Sequence, residues 1–298
     1  MDRGFGIISI LRSIKKFWSA NTKQRIIFGS SEICLYLLLS RKRDVWVFTG
    51  LGRLLIGGNV RSRIVRWTIK RLYRGQLIIV LNEQDRAEVF GFTNCEPRVI
   101  NGEGYKFSCG YNQKLRLKPR NEIRFVYVGR LLRSKGVHQL LSDFSKYSHE
   151  NWTLTLIGDN DFNNSDSVSQ VDIDDLVKKS KGSVILTGYR SDVASILSEQ
   201  DFYVTMSLRE GLPFSVLDAI NAGLYLILSP VPGHLSFEGL PGVQFAKDGL
   251  KSVFDEVSRK SDRMLNFDRE KRLEICKNKF GQDRIVQQIA EMIFGQND

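Results

Sequence analysis

Proline, cysteine and histidine are scarce in this 298-residue chain, at 6, 4 and 3 copies. With so little proline and no low-complexity tract, a collagenous, mucin-like or disordered chain is excluded. Cys34, Cys95, Cys109 and Cys276 share no CxxC spacing and no neighbouring His pair, so neither a zinc site nor a disulfide framework is indicated. Reduced thiols in a cytoplasmic protein are the expectation, and an N-terminus without a basic segment, apolar run and small-residue cleavage site argues against export. His138, His149 and His234 have no metal-ligand spacing and read as packing or surface residues. Long apolar runs are missing too: Ile33–Leu39 falls far below the roughly 18 to 20 residues that cross a bilayer. No GxGxxG or GxxxxGK[ST] occurs, since Gly50-Leu-Gly52 is followed by Gly57 without the required spacing, and dinucleotide and P-loop readings lose their warrant.

What is present is an ordinary globular composition, 42% hydrophobic and 26% charged, at a length that suits two domains. The charge is unevenly placed. Of the net +11, residues 1–120 carry +15 (23 Lys/Arg against 8 Asp/Glu) and residues 121–298 carry −4. The basic half must meet something acidic, and nucleic acid, anionic lipid and a phosphorylated substrate all qualify.

The hydrophobic pattern alternates short apolar runs with helical periods. Residues 5–18 place Ile7, Ile10, Leu11, Ile14 and Trp18 on one helical stripe, an amphipathic helix. Strand-type runs follow at Arg25–Ser31, Asp44–Gly50, Gln76–Leu81 and Pro97–Ile100, with a basic helix around Arg61–Arg74 and another capped by Asn82. Residues 105–121 show no period and suit a linker, which predicts a boundary near residue 118. The pattern restarts with strands at Ile123–Val128, Trp152–Ile157, Val184–Thr187, Phe202–Thr205 and Tyr225–Leu228 and helices at 136–147, 172–180, 191–199 and 215–222. Two doubly wound parallel sheets are expected, with ligands at the carboxyl ends of the strands.

Chemistry-bearing residues gather in the loops that leave those strands. Gly129-Arg130-Leu-Leu-Arg-Ser-Lys135-Gly136 sets two cations and helix N-terminal amides where a diphosphate can bind, although a solvated basic loop explains it as well. Glu210-Gly211-Leu212-Pro213-Phe-Ser215 follows the strand Phe202–Thr205, with Ser215 expected as the N-cap of the next helix. Asp218, one turn into that helix, is read either as a ligand or as simple stabilisation of the helix dipole.

These residues resemble the GT-B fold retaining glycosyltransferases of family 4, also called glycosyl transferases group 1, of the kind that builds bacterial surface polysaccharides. The resemblance lies in Phe125–Gly136, Ile157-Gly-Asp159, Leu186-Thr-Gly188-Tyr189 with Asp192, and Ser207–Gly223, covering nearly all of 121–285. Phe48-Thr49-Gly50-Leu-Gly52, Val80–Asp85 and Ile100-Asn101-Gly-Glu103-Gly104 resemble the subgroup that adds hexosamine-type sugars. The resemblance implies two Rossmann-like domains facing a cleft. Residues 1–118 would form an acceptor-side domain lacking its first strands and 119–281 the nucleotide-sugar domain, with a C-terminal helix over 282–298 packing back towards the first.

Carried over by position, the resemblance makes Arg130, Lys135 and Glu210 the catalytic residues, the two cations on the donor diphosphate and Glu210 near the donor sugar. Gly129, Gly188, Tyr189, Gly211, Leu212, Pro213, Ser215, Val216 and Asp218 would bind the nucleotide-sugar, and Thr49, Gly50, Gly52, Asn101 and Glu103 would lie on the acceptor side. No metal and no cofactor are expected, because a cationic clamp takes over the charge. Asp218 stands where the family's EX7E pattern has Glu, and its side chain is one methylene shorter, so the ribose contact would be water-bridged, reached by a helix shift, or lost.

The implied activity is transfer, with retention, of a sugar from a UDP-hexose or UDP-N-acetylhexosamine to a polyprenyl-diphosphate-linked saccharide. This would serve O-antigen, capsule or exopolysaccharide synthesis, with the protein peripheral on the inner face of the cytoplasmic membrane and bound to its anionic surface. The alternative is a truncated, catalytically weak or silent homologue that binds a membrane or a partner. Nucleic acid is not expected as a partner, because no recognised binding module accompanies the basic half.

Overall fold

The structure is a computed structural model and describes residues 26–29, 40–48, 51, 55, 58–108, 122–161 and 164–294. The amphipathic stripe expected at 5–18 and the boundary expected near 118 lie outside these residues. The chain divides into two compact units. The first takes the described residues up to Glu103 together with those from Ile285 onward, and the second takes Gly104–Arg284.

The first unit is a four-stranded parallel sheet in sequence order, β1 (Ile26–Gly29), β2 (Val45–Phe48), β3 (Leu77–Val80) and β4 (Arg98–Val99). Every residue of β2 is buried, as expected of a strand covered on both faces. Helices α1 (Val60–Leu72) and α2 (Glu83–Thr93) connect the strands. Asn82 caps α2 as its sequence position suggests, its side chain accepting from the Asp85 amide at 2.8 Å. On the sheet's Val45, Val47 and Ile79 pack Ile285, Ile289, Met292 and Ile293 of the last helix, α10 (Gln282–Phe294).

The second unit holds β5 (Ile123–Val128), α3 (Val137–Tyr147), β6 (Trp152–Ile157), α4 (Gln170–Lys179), β7 (Ser183–Leu186), α5 (Val193–Ser198), β8 (Phe202–Thr205), α6 (Phe214–Asn221), β9 (Tyr225–Leu228), α7 (Pro232–Leu235), β10 (Val243–Phe245), α8 (Leu250–Leu265) and α9 (Arg269–Phe280). Its six strands run parallel in the order β10-β9-β8-β5-β6-β7. The order reverses between β5 and β8, where Phe125 pairs with Phe202 and Val126 with Tyr203. This is the switch point at which doubly wound sheets open a crevice. β10 escapes a reading by hydrophobic run, because Val243-Gln-Phe245 is three residues long and only half-buried.

Under the sheet, the Phe125 ring centroid lies 5.0 Å from Trp152, 5.2 Å from Phe202, 5.4 Å from Phe254 and 6.1 Å from Phe144. One fully buried ring thus ties β5, β6, β8, α3 and α8 together. Phe125→Ala is expected to lower the unfolding free energy by about 3 to 5 kcal/mol. Urea denaturation checks it, and a loss below that range means that the cluster closes around the gap.

Candidate functional site

The loop after β5 turns at Gly129, runs through a 3-10 turn at Arg133–Lys135 and enters α3 at Gly136. Gly136 has φ +69°, and a Cβ there would lie 2.0 Å from the Met206 carbonyl, so only glycine lets this loop close on the end of β8. The Tyr127 hydroxyl donates to the Arg130 carbonyl at 2.9 Å and the Leu208 amide to the Ser134 carbonyl at 2.9 Å. The first steadies the loop after β5, and the second holds it beside the loop after β8.

Between them Lys135 and Glu210 form a two-toothed ion pair: Nζ donates to Oε1 at 2.8 Å and to Oε2 at 2.7 Å. Side-chain exposure is 29% for Lys135 and 13% for Glu210. The carboxylate also accepts from the Ser207 hydroxyl at 2.7 Å, and the Ser207 hydroxyl lies 3.2 Å from that of Thr205. Below, the Ser229 hydroxyl donates to the Ser207 carbonyl at 2.6 Å, and His234 Nδ1 lies 2.8 Å from the Ser229 carbonyl. His234 is fully buried on α7, and a Cβ on its neighbour Gly233 would meet the Gly211 carbonyl at 2.3 Å. The loop that carries Glu210 therefore rests on the start of α7. Sequence reasoning set His234 aside for want of ligand spacing, and it passed over Thr205, Ser207 and Ser229, because hydroxyls and one histidine scattered over thirty residues give no pattern until the strands align them.

A cavity of about 310 Å³ opens over this pair, lined by Gly129, Lys135, Glu210, Leu212, Pro213 and Ser215 among others. Beside it lies a second cavity of about 380 Å³ with Arg130, Asp159, Asp161, Gly188 neighbour Tyr189 and Arg190 in its wall. Val128 and Gly129 border both. Arg130 is 60% exposed and pairs with Asp161 at 3.3 Å, so the two cations named from sequence flank one backbone turn from adjoining hollows. Tyr189, exposed, donates its amide to Asp159 at 2.9 Å, and Gly188 bonds its carbonyl to the Gly158 amide at 2.9 Å.

One expectation changes, and two further site residues are found with neighbours of their own. Ser215 is not the N-cap of α6: the helix starts at Phe214 with Pro213 in the cap position and no side-chain cap, because proline's fixed φ suits entry to a helix. Ser215 instead accepts from the buried Tyr203 hydroxyl at 2.9 Å. Val216, on α6, has its side chain fully buried in the core, leaving only its backbone for a ligand. Asp218 lines neither cavity. Its Oδ1 accepts from the Tyr105 hydroxyl at 2.5 Å, and burial raises its pKa while the Tyr105 bond lowers it. Gly211 lies beside the first cavity, in the Glu210–Pro213 turn.

Asn101 and Glu103 stand in the turn after β4 in the first unit, and neither borders the two cavities. Thr49, Gly50 and Gly52 lie outside the described residues. Among the described residues no group of three or more His, Cys, Asp and Glu side chains is placed to hold a metal, and no helix is long and apolar enough to cross a membrane.

Residues 122–259 match the family described as Glycosyl transferases group 1. Over 120 residues, 39% of this chain and 30% of its relative, the chain is 32% identical to the UDP-Gal:alpha-D-GlcNAc-diphosphoundecaprenol alpha-1,3-galactosyltransferase of Escherichia coli. Over 248 residues, 77% of this chain and 62% of its relative, it is 26% identical to the N,N'-diacetylbacillosaminyl-diphospho-undecaprenol alpha-1,3-N-acetylgalactosaminyltransferase of Campylobacter jejuni. The chain thus spans 30% and 62% of the length of these two relatives. Among solved structures it resembles HepE of Anabaena, in complex with UDP and glucose (TM-score 0.74, 15% identity, 98% of this chain and 84% of that one). It also resembles sucrose-phosphate synthase of Thermosynechococcus elongatus (TM-score 0.73, 18% identity, 96% and 77%). The α/β fold expected from the sequence, with parallel sheets of the GT-B type, is shown.

Burial holds the His234 imidazole below its ordinary pKa of 6.5, with the Ser229 carbonyl and Glu210 pulling the other way. The folded state therefore favours the neutral ring, and the unfolded chain binds its proton first as pH falls. Stability from this residue is expected to be complete above about pH 6.5 and to drain away below it. Denaturation midpoints between pH 7 and 5 check this: the wild type should lose more than His234→Gln, and equal losses mean that the ring charges freely in place.

Proposed function

We propose that this chain is a glycosyltransferase that moves a hexosyl or N-acetylhexosaminyl group from a UDP-linked donor to a polyprenyl-diphosphate-linked saccharide, with retention, in surface polysaccharide synthesis. The observation that carries the reading is the Lys135–Glu210 pair at the switch point of the sheet, inside the stretch that matches the transferase family. The relatives named above act on nucleotide-sugars or diphosphoundecaprenol-linked saccharides by their own descriptions.

In this reading a donor diphosphate enters over Gly129 and meets Lys135 from one hollow and Arg130 from the other. Binding exchanges the Glu210 carboxylate for phosphate on Lys135. Glu210, held by Ser207, then turns to the hydroxyls of the donor sugar, with the Gly211–Pro213 backbone beside it. As the glycosidic bond breaks, negative charge grows on the leaving phosphate, and the two cations stabilise it in place of a divalent ion. Retention follows from attack on the face that the leaving group departs, with its phosphate oxygen accepting the acceptor's proton. The second oxygen of Asp218 takes the ribose.

Lys135→Ala and Arg130→Ala are each expected to cut turnover of a UDP-sugar on a polyprenyl-diphosphate-sugar acceptor by about a hundredfold, worth about 2.7 kcal/mol of transition-state stabilisation. Glu210→Gln should cost turnover with little loss of stability, and EDTA should change nothing. Near wild-type rates in all three variants end the assignment.

A second reading, a silent homologue, draws on the fact that Lys135 and Asp218 already have partners inside the protein. A rise in melting temperature with UDP separates the two, since only a chain that binds UDP when folded is stabilised by it. The Tyr105 bond adds a sharper check. Asp218→Glu alone should not tighten UDP binding, because the longer carboxylate meets the Tyr105 hydroxyl. Joined with Tyr105→Phe it should, and no gain in the double variant by calorimetry removes Asp218 from the donor site.

A further inference from the structure

Among the described residues β7 is an end strand of the second sheet, and it lacks the charges and prolines that keep an edge from pairing. Its sequence, Ser183-Val-Ile-Leu186, is apolar after the first residue. Ile185 is 47% exposed and Leu186 40%. The other end of the sheet is guarded: the side chains of β10 are half-buried, and Gln244 donates to Glu256 of α8 at 3.0 Å.

The open edge of β7 has a definite hydrogen-bonding pattern. The Thr187 amide donates to the Leu156 carbonyl at 3.1 Å, and Leu156 pairs in register with Leu186. Backbone groups alternate from side to side along a strand, so Ile185 and Thr187 face β6 while the N–H and C=O of Val184 and Leu186 turn outward. An antiparallel strand with its centre at Ile185 satisfies both outward residues. In a self-pairing about a two-fold axis, Val184 of each copy exchanges its bonds with Leu186 of the other, and Ile185 lies opposite Ile185.

Helix α4 carries a matching pattern of charge. Its Ile173, Leu176 and Val177 pack in the same core as Val184, so it covers β7 on that face. One flank is turned inward along the unit, where Asp172 pairs with Arg133 at 2.7 Å. At 100° per residue, Asp174 and Lys178 fall on the other flank, and both are exposed. Neither enters an ion pair among the described residues: Asp174 accepts from the Gln170 amide at 2.9 Å, and the neighbouring Asp175 takes Lys179. The acid stands two residues before Leu176 and the base two after it. Two such helices laid antiparallel therefore place Asp174 of each against Lys178 of the other.

We propose that the edge formed by β7 and α4 is a self-complementary surface on which a second copy of this chain docks, joining two six-stranded sheets across a two-fold axis at Ile185. Strand spacing of about 4.8 Å brings the two α4 helices to about 10 Å, an ordinary packing distance. An isolated peptide strand could use the edge, but it brings no helix to answer Asp174 and Lys178 in antiparallel order. The inference rests on the second unit alone and does not depend on the transferase reading. Because β6 stands between β7 and β5, the crevice at the switch point stays open in each copy.

Sedimentation velocity of the full chain between about 1 and 100 μM is expected to show a monomer–dimer equilibrium. Ile185→Lys sets like charges face to face on a surface position and should raise the dissociation constant at least tenfold, with the melting temperature at the lowest concentration unchanged. Asp174→Lys and Lys178→Asp should each weaken the dimer in the same way when alone. Mixed in equal amounts, these two variants should recover it, because every contact between the helices then joins a Lys to an Asp. A role confined to the helix of one chain would not be repaired by mixing. A monomer throughout the range, a dimer indifferent to Ile185→Lys, or a mixture that stays monomeric overturns the proposal. So do open-ended oligomers, which mean that β7 meets an edge other than itself.

Discussion

The pairing of β5 with β8 is the constraint from which the candidate site follows. These strands are separated by two intervening strands in sequence, yet they lie side by side in the sheet, with Phe125 opposite Phe202. Their carboxyl ends therefore deliver the 129–136 and 206–213 loops to one place. Lys135 and Glu210, 75 residues apart, become hydrogen-bonded partners only because of it. The aromatic cluster beneath holds the two strands together, and the glycine at 136 lets the first loop close on the second.

Electrostatics then sets what such a site can do. Lys135 is drawn from water to about a third of its exposed surface, and Glu210 further still. Each stabilises the charge of the other, and neither is left unpaired in a region of low dielectric, where that would be costly. An entering polyanion can take over Lys135 because it replaces one carboxylate by several oxygens, and the hydroxyl of Ser207, itself beside that of Thr205, remains to hold Glu210 once it is released. Burial disfavours the charged form of the His234 ring underneath, which works against a second positive charge below Lys135.

The two units divide the labour of charge. In the second unit Arg124, Arg130, Arg133, Lys135, Lys179, Arg190 and Lys251 pair with carboxylates of the same unit, and residues 121–298 carry a slightly negative balance. Among the described residues Arg61, Arg63, Lys70 and Arg71 of α1 enter no ion pair, and they flank a ridge of exposed apolar side chains. Net charge by sequence located the excess in the first 120 residues but did not distinguish a helix that spends its cations on internal pairs from one that presents them outward.

Much of the second unit was legible from residues alone. The apolar runs at 123–128, 152–157, 202–205 and 225–228 are long enough and buried enough to be read as parallel strands, and Asn82 announced its helix by the residue type that a cap requires. The same reading put Lys135 and Glu210 in strand-end loops, because glycines and a proline punctuate the chain where strands hand over to helices. Ser215 shows the limit of such local signals: Pro213 started the helix earlier and converted the expected cap into a partner for Tyr203. Burial of His234 and the Tyr105 bond to Asp218 depended on residues 113 positions apart or on layers of backbone stacked beneath a loop. Sequence by itself determined the period of each segment and the chemistry available at its ends, since both are short-range properties. Which carboxylate met which cation, and which face of α1 was left to solvent, was decided only when the sheets assembled, because those contacts depend on strand order and packing that no local pattern records.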